Sequence, residues 1–370
     1  MATFIERFDT SGSGPRLAVK DLIDMEGVPT TAACKAVADA AEPAKADAPL
    51  LAGARAAGAR IVGKTNLHEL ALGVTGVNPW FGTPTNPLDP ALVPGGSSSG
   101  SAVAVGSGEA DVAYGSDTGG SVRTPSACCG TAGLKTTWGR VPLEGVWLLS
   151  ESLDTIGPMA RDVAGLIIGM ELLEPGFAVS EDVPRVVGRL TVPGVDPAID
   201  RAVDRALAAA EIEVVPIELP GWDESRTAAS TILIAEAYAN DQHLLSHTSV
   251  GEDVRFLLGL GEHITAEQVA EARSAQEVWR RELAGAFERV EAIALPTLKM
   301  FPPRIDDPPN LEMADLALPV NAAGVPSLAL PVLTDGPLPA SIQLIGPHNS
   351  EERLLAVGRV VEAAASQSGS

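Results

Sequence analysis

The chain has 370 residues and a formal net charge of −22, with 48 Asp and Glu against 26 Lys and Arg. Such a negative surface repels phosphate backbones and anionic lipid heads, so neither nucleic acid nor a membrane is an expected partner. The most apolar stretch, residues 163–173, falls well short of the roughly 20 residues that span a bilayer.

The use of cysteine and the N-terminal sequence indicate a reducing compartment. Cys34, Cys128 and Cys129 are odd in number and have no metal-ligand spacing, so they predict neither a disulfide framework nor a metal site. The N-terminal segment carries Arg7 and Asp9 where a signal peptide has an apolar run. We therefore expect a cytoplasmic protein.

Helical and strand-like patterns alternate along the chain. The Ala-rich stretch 49–59 runs into the short apolar segment RIVGK, and the stretch 101–110 runs into DVAYGS. Helical periodicity returns near 197–210, at 225–248 and at 265–290, and the strand-like segments AIALP, SLALPV and SIQLIG follow. Repeated alternation of this kind predicts an α/β fold, which we expect to form one large domain.

A phosphate-binding pattern appears early in the chain. GARIVGKT, residues 58–65, fits G-x-x-x-x-G-K-[ST] letter for letter. In that motif a strand precedes the first glycine and a helix opens at the lysine, whereas here a predicted helix comes first and the strand runs through the motif. This order argues against a nucleotide-binding protein and predicts that Lys64 simply follows a strand, without a buried setting.

A second pattern lies at the end of a long Gly- and Pro-rich segment, residues 73–100, which is too punctuated for regular structure. GSSSG, residues 96–100, matches the nucleophile-elbow pattern G-x-S-x-G with Ser98 at its centre. A buried strand should precede such an elbow, and NPLDPALVPG does not read as one. Histidines are available downstream, so an α/β-hydrolase esterase that uses Ser98 stays an alternative.

A third pattern joins two serine-containing segments. Ser97 and Ser121 are 24 residues apart, and the predicted helix and strand between them return the chain to the end where it began. Gly119 and Gly120 allow a tight turn that aims backbone N–H groups inward, as in an oxyanion hole. A plain turn is the other interpretation of this stretch.

Together these segments resemble the amidase signature family. The resemblance rests on PGGSSSGSAVAV, GSDTGGSVRTPSACCGTAGLKTT, the Lys-Asp pair in LAVKDLIDMEGVPTT, SLDTIGPMARDV, NAAGVPSLALPV and LPASIQLIGPHNSEERLL, and it covers nearly the whole chain. It implies a single domain over 1–370 with a mixed twisted β-sheet that helices cover on both faces. Within that domain it implies a catalytic core at about 15–165, a mainly helical substrate-side region at 166–300 and a return to the sheet at 301–370.

The same resemblance implies a catalytic site without metal or cofactor. Ser121 would be the nucleophile, Ser97 the bridging serine with a cis peptide bond before it, and Lys20 the base. The oxyanion hole would consist of backbone N–H groups around Thr118, Gly119, Gly120 and Ser121. Asp117 and Arg123, which flank the nucleophile, are expected to hold this loop in place.

The expected reaction is hydrolysis of a small carboxamide to a carboxylic acid and ammonia or an amine. The N-terminal segment is similar to that of compact indole-3-acetamide hydrolase-like members. An aryl or medium-sized apolar amide is the expected substrate class, because Trp and Phe side chains are expected to line the pocket. The predicted substrate-binding residues are Asn78, Trp80, Ser98 and Trp147. We expect a monomer or homodimer; the alternative is a glutamine amidotransferase A-type subunit, which has the same core and needs partner chains.

Overall fold

The computed structural model of the protein describes residues 2–307 and 311–367. Within them the strands, in chain order, are β1 (Phe4–Arg7), β2 (Arg16–Lys20), β3 (Arg60–Thr65), β4 (Val112–Ser116), β5 (Ala132–Lys135), β6 (Ile156–Ala160), β7 (Val186–Leu190), β8 (Glu213–Ile217), β9 (Ala292–Pro296), β10 (Ser327–Val332) and β11 (Ala340–Ile345). They form one mixed sheet in the order β1-β3-β2-β4-β6-β5-β10-β11-β9-β7-β8. The sheet therefore contains strands from both ends of the chain.

The helices connect and cover these strands. They are α1 (Lys35–Ala38), α2 (Ala52–Ala56), α3 (Ser99–Gly106), α4 (Arg123–Cys129), α5 (Val163–Leu173), α6 (Pro197–Ala209), α7 (Trp222–Asp241), α8 (Glu252–Leu260), α9 (Ala266–Ala286), α10 (Leu318–Ala323) and α11 (Glu351–Gln367). Side-chain caps fix several starts: the Asp196 carboxylate accepts from the Ala198 N–H before α6, and Thr265 and Gln268 form a capping box at α9.

Both faces of the sheet are buried under helices, as the resemblance implies. Ala292 and Ala294 of β9 pack into a cluster with α5, α6 and α11. The alternate residues Ile293 and Leu295 pack into another cluster with α7, α9 and α10. Successive side chains of a strand point to opposite faces, so this alternation requires apolar cover on both sides. The predicted α/β class and single large domain are confirmed.

The parallel strands at the N-terminal end of the sheet position the candidate site. β2 pairs in parallel with both β3 and β4, and Val19 lies opposite Tyr114. Parallel neighbours end at the same edge, so Lys20 and Ser116 emerge side by side. α3 and β4 return the chain from Ser97 to this edge, which is the crossover that the serine spacing predicts.

The finer partition of the domain stays a prediction. Residues 166–300 contain most of α5, all of α6–α9 and also β7, β8 and β9, which form one end of the sheet. Residues 1, 308–310 and 368–370 of the predicted domain lie outside the described residues. In the part of the chain that the structure describes, no helix combines the length and the apolar character needed to cross a membrane.

Candidate active site

Lys20 is the last residue of β2, and its side chain is completely buried. Its Nζ donates hydrogen bonds to the Ser97 Oγ and to the Ser116 Oγ, each at 2.7 Å. Burial lowers the pKa of Lys20 to about 7, although the carboxylates of Asp154 and Asp117 oppose this change. A large fraction of Lys20 is therefore neutral near pH 7, as a base must be.

Ser97 and Ser121 lie together at this edge of the sheet. The Gly96–Ser97 peptide bond is cis, as the resemblance implies. The Ser98 N–H donates to the Ser121 carbonyl at 3.1 Å, which joins the two serine segments directly. Within the described residues no hydrogen bond connects the hydroxyls of Ser97 and Ser121, and Ser121 borders a cavity instead.

The loop that carries Ser121 is organised by one buried carboxylate. Asp117 accepts hydrogen bonds from the Gly120 N–H at 2.9 Å and the Val122 N–H at 3.2 Å, and it pairs with the Arg123 guanidinium at 2.9 Å. Burial by itself raises the pKa of Asp117, but the attraction and hydrogen bonds of Arg123 outweigh it and hold the pKa well below its usual range. Asp117 and Arg123 thus hold the loop, as the sequence predicts.

Two residues from the C-terminal part of the chain complete this network. Arg123 also donates to the Gln343 Oε1 in β11 and to the Asn321 Oδ1 in α10, both at 2.6 Å. The Asn321 amide in turn donates to the Asp117 Oδ1 at 2.9 Å. Sequence reasoning missed both residues; the signal available was a polar side chain inside each of two apolar segments, PVNAAG and SIQLIG.

The predicted oxyanion hole needs one correction. The Gly120 N–H points at Asp117 and is not free for a substrate. In the part of the chain that the structure describes, the N–H groups of Thr118, Gly119 and Ser121 donate to no protein acceptor. Gly120 has φ +118°, and a Cβ there would lie 2.6 Å from the Ala317 Cβ, so its role is to shape the turn.

A cavity of about 500 Å³ opens beside Ser121. Thr118, Gly119 and Ser121 contribute to its lining, and so do three charged residues, Arg226, Glu312 and Asp315. Most of the wall is aliphatic and includes seven leucines: Leu72, Leu149, Leu233, Leu257, Leu260, Leu311 and Leu318. The cavity can enclose a medium-sized molecule against a mainly apolar surface.

Two of the predicted substrate-binding residues lie in the loop 73–85 but outside this lining. The buried Asn78 amide donates to the backbone carbonyls of Ala33 and Leu67, so it holds the loop together. Trp80 is 37% exposed, and its indole N–H donates to the Glu69 carboxylate. From this loop the cavity receives Gly73 and Val74 instead.

The other two predicted substrate-binding residues also lie outside the lining. Ser98 is buried, and its hydroxyl donates to the Ser116 carbonyl at 3.1 Å. Trp147 borders a separate surface groove with His243 and His247, and its indole N–H reaches the Asp241 carboxylate at 3.4 Å. The aromatic wall expected from the sequence is therefore replaced by an aliphatic one.

The two competing motifs also have other roles. β3 runs through the phosphate-binding pattern, and the buried Lys64 Nζ forms an ion pair with Asp21 at 2.9 Å. Both expectations for Lys64 are wrong, because it lies within β3 and not after it, and its side chain is buried. The Asp21 carboxylate compensates its charge within the protein. Ser98 precedes α3 with its hydroxyl engaged, and no strand leads into it. Among the described residues, no cluster of His, Cys, Asp and Glu is placed to hold a metal ion.

Comparison with known proteins decides the family. The family model described as Amidase matches residues 14–355. The chain belongs to the amidase signature family. The A-type subunit of the glutamyl-tRNA(Gln) amidotransferase of Halobacterium salinarum is 33% identical over 403 aligned residues, which cover 94% of this chain and 95% of that protein.

Solved amidase structures share the whole fold. One described as a crystal structure of amidase has a TM-score of 0.88 at 32% sequence identity. The alignment covers 95% of this chain and 84% of the chain in that structure. The A-type subunit of the Thermotoga maritima glutamyl-tRNA(Gln) amidotransferase has a TM-score of 0.84 at 28% identity, with 97% and 86% covered. This amidase is accordingly an enzyme that acts on carbon–nitrogen amide bonds.

Proposed function

We propose that this amidase hydrolyses a carboxamide through an acyl-enzyme on Ser121, with Ser97 and Lys20 as its proton relay. The observation that carries the proposal is the contact of 2.7 Å between the buried Lys20 Nζ and the Ser97 Oγ, beside the loop that presents Ser121 to the cavity. A lysine in this position can act as a base because burial keeps a large fraction of it neutral. No histidine is required.

The reaction then proceeds in two halves. The Ser121 Oγ attacks the amide carbon while its proton passes to Ser97, whose own proton passes to Lys20. The resulting oxyanion accepts hydrogen bonds from N–H groups of Thr118, Gly119 and Ser121. Lys20 returns the proton through Ser97 to the departing amine, and water then cleaves the ester. The Ser97–Ser121 hydrogen bond is expected to form when substrate binds, since such contacts are commonly long in free enzymes.

The preferred substrate is a medium-sized apolar amide, and the aliphatic lining supports this choice. Leucine side chains exclude water from the acyl group and offer it few polar partners. The aryl preference expected from the sequence has weaker support, because no aromatic residue is found among the lining residues that the structure describes.

The second candidate substrate is glutamine, whose ammonia would be delivered to a partner chain. The relatives named as A-type subunits of glutamyl-tRNA(Gln) amidotransferase support it more strongly than they support a free-standing amidase. Three charged residues line the cavity: the Arg226 guanidinium suits the carboxylate of a free amino acid, and the Glu312 and Asp315 carboxylates suit its ammonium. Arg226 and Asp315 lie 3.5 Å apart, and Asp315 also pairs with Lys299. In that case the chain would work with other subunits in place of the predicted monomer or homodimer.

The nucleophile is tested by labelling the folded protein with a fluorophosphonate and locating the adduct by peptide mass spectrometry. We expect an adduct on Ser121 that is lost in Ser121→Ala and strongly slowed in Lys20→Ala. An adduct on Ser98 would overturn the proposal in favour of an esterase of the elbow type. Ser98→Ala is the matched control and should still be labelled at Ser121.

The substrate is tested by measuring ammonia release from glutamine and from a series of apolar primary amides. Faster turnover of the apolar amides by the isolated chain supports the free-standing amidase. Turnover of glutamine that appears only with a co-purified partner, and that falls in Arg226→Ala, supports the amidotransferase role.

A further inference from the structure

Asp154 is a buried carboxylate that contacts the nucleophile loop, residues 117–122, which carries Ser121. It accepts hydrogen bonds from the Thr118 Oγ1 at 2.5 Å, the Leu149 N–H at 2.9 Å and the Ser150 N–H at 3.1 Å. Thr118 and Leu149 both line the cavity beside Ser121. One carboxylate therefore connects the turn that carries the nucleophile to the wall of the cavity.

The charged groups around Asp154 leave it without a cation of its own. Asp117 is the other carboxylate that acts on Lys20, but it forms an ion pair with Arg123. The charge of Lys135 also helps to lower the pKa of Asp117. All three hydrogen-bond donors to Asp154 are neutral groups, and within the described residues no side chain forms an ion pair with it. The Asp117 N–H donates to the Thr155 carbonyl at 2.8 Å, which places Asp154 beside the end of β4, where Ser116 contacts Lys20. Lys20 is the cation that acts on Asp154 electrostatically.

We propose that Asp154 is a positioning residue that supplies the countercharge for Lys20 when the lysine accepts the proton from Ser97. The inference rests on the proposed function. Before the transfer the buried site holds a neutral amine and a carboxylate; afterwards it holds an ammonium and a carboxylate. The proton uptake thus creates a compensated pair, whereas without Asp154 it would create a buried cation beside Asp117 alone, a carboxylate that already pairs with Arg123.

The titration of the two groups sets the direction of the expected effect. Burial raises the pKa of Asp154 to about 6, against the hydrogen bond from Thr118 and the attraction of Lys20. The carboxylate in turn raises the pKa of Lys20, which burial lowers to about 7. Removing the negative charge should therefore lower the pKa of Lys20 further and make the amine a weaker base.

The test is the pH profile of kcat/KM for Asp154→Asn, in which the amide oxygen can accept from the Leu149 and Ser150 N–H groups while the amide NH2 donates to the Thr118 hydroxyl. We expect the rising limb to move to lower pH by about one unit or more, with a plateau at least tenfold below that of the unmodified enzyme. Glu236→Gln is the matched control: Glu236 accepts from Ser150 and Ser152 in the same segment, but it pairs with Arg273 and does not act on Lys20.

A lower plateau with an unmoved limb would overturn the proposal, because it would leave Asp154 a purely structural role. Should Asp154→Asn lose all activity or fail to fold, 13C NMR of the Lys20 Cε in the intact enzyme decides the question. The chain has six lysines, and the signal is assigned by its absence in Lys20→Met. Two titration steps, one from each group, support the proposal, and a single step contradicts it.

These results are separable from the proposed function. If no fluorophosphonate adduct forms on Ser121, the acyl-enzyme mechanism fails, yet the two-step titration of Lys20 can still be observed. If Ser121 reacts and the limb does not move in Asp154→Asn, the mechanism stands and the role of Asp154 is rejected.

Discussion

Three lysines are buried in or beside this sheet, and their hydrogen-bond partners decide which one can act as a base. Lys64 also donates to a hydroxyl, that of Thr30 at 3.1 Å, but it pairs with Asp21, so its charge is compensated within the fold. Lys135 donates to the carbonyl oxygens of Thr136 and Val325, which have no proton to give. Lys20 donates to two serine hydroxyls and, among the described residues, forms no ion pair; a hydroxyl can both release and return a proton.

Activity should rise with pH through the titration of Lys20. Below about pH 7 the ammonium form dominates and cannot accept a proton; above it the amine is free, so kcat/KM should climb and then reach a plateau. The measurement is kcat/KM between pH 5.5 and pH 9 on one amide, with about a tenfold fall per unit below the pKa. Lys135→Met is the control, since the pKa of Lys135 is also lowered to about 7, and it should leave the limb in place. A flat profile would contradict the assignment of Lys20.

Neighbouring serines should respond very differently to removal of the hydroxyl. Ser97→Ala deletes the atom that Lys20 contacts, so kcat should fall by about 10² to 10⁴. Ser99→Ala deletes a buried hydroxyl that has no hydrogen-bond partner among the described residues, so it should change neither kcat nor stability appreciably. Steady-state kinetics and melting temperatures of the two variants make the comparison. Equal losses in both would indicate that the segment is merely sensitive to substitution.

At the scale of elements, the loop that carries Ser121 is fixed by contacts that cross the sheet. Asp117 binds N–H groups of its own turn, while Arg123 reaches β11 and α10. A turn held in this way needs little rearrangement when substrate arrives, which is the requirement for an effective oxyanion hole.

Breaking this ion pair should affect stability and activity together. Arg123→Met leaves the Asp117 carboxylate buried without its cation, which costs about 3 to 5 kcal/mol of the free energy of unfolding. Urea denaturation measures the loss, and fluorophosphonate labelling should slow in parallel. The double variant with Asp117→Asn should be less destabilised than the sum of the single variants.

A surface ion pair provides the control for this experiment. Arg205 and Asp335 form a pair at 2.6 Å with both side chains largely exposed, so Arg205→Ala should cost no more than about 1 kcal/mol. Normal labelling of Ser121 in folded Arg123→Met would reject the view that the pair holds the loop.

Helix α7 should control which acyl groups fit the cavity. Arg226, Ser230, Leu233 and Ile234 lie at helical spacing on one face, and all line the cavity. The Leu233 Cδ1 would lie 3.3 Å from a Cβ at Gly119, so this side chain limits the space beside the nucleophile loop. Leu233→Ala should raise the ratio of kcat/KM for long over short apolar amides by about tenfold or more. Thr231→Ala, outside the lining, should leave that ratio unchanged.

At the scale of the whole molecule, the residues within local motifs could be predicted from the sequence. The contacts between segments that are distant along the chain could not. Lys20, Ser97 and Ser121 lie in recognisable motifs, and the crossover between the two serines follows from element lengths. Asn321 and Gln343 reach the loop because β10 and β11 insert beside β5, a pairing that no local pattern encodes. The prediction of the cavity lining was wrong for a related reason. Most of the lining comes from α7, α8 and the segment before α10, which are far along the chain from the loop 73–85.

This topology predicts that the molecule unfolds as one unit. The C-terminal strands β10 and β11 lie between β5 and β9, so the region 15–165 cannot separate from the rest without breaking the middle of the sheet. Trp222 and Trp279, packed edge to face with centroids 5.7 Å apart, report on the helical region, whereas Trp80, Trp138 and Trp147 report on the N-terminal half. Two variants each keep one of these sets of tryptophans and have the other set replaced by Phe. In each variant the urea transition measured by fluorescence should coincide with the one measured by far-UV circular dichroism. Fluorescence midpoints that fall on opposite sides of a biphasic dichroism curve would mean that the region 15–165 is a separate folding unit. The long-range contacts of Arg123 would then contribute less to the fold than their burial implies.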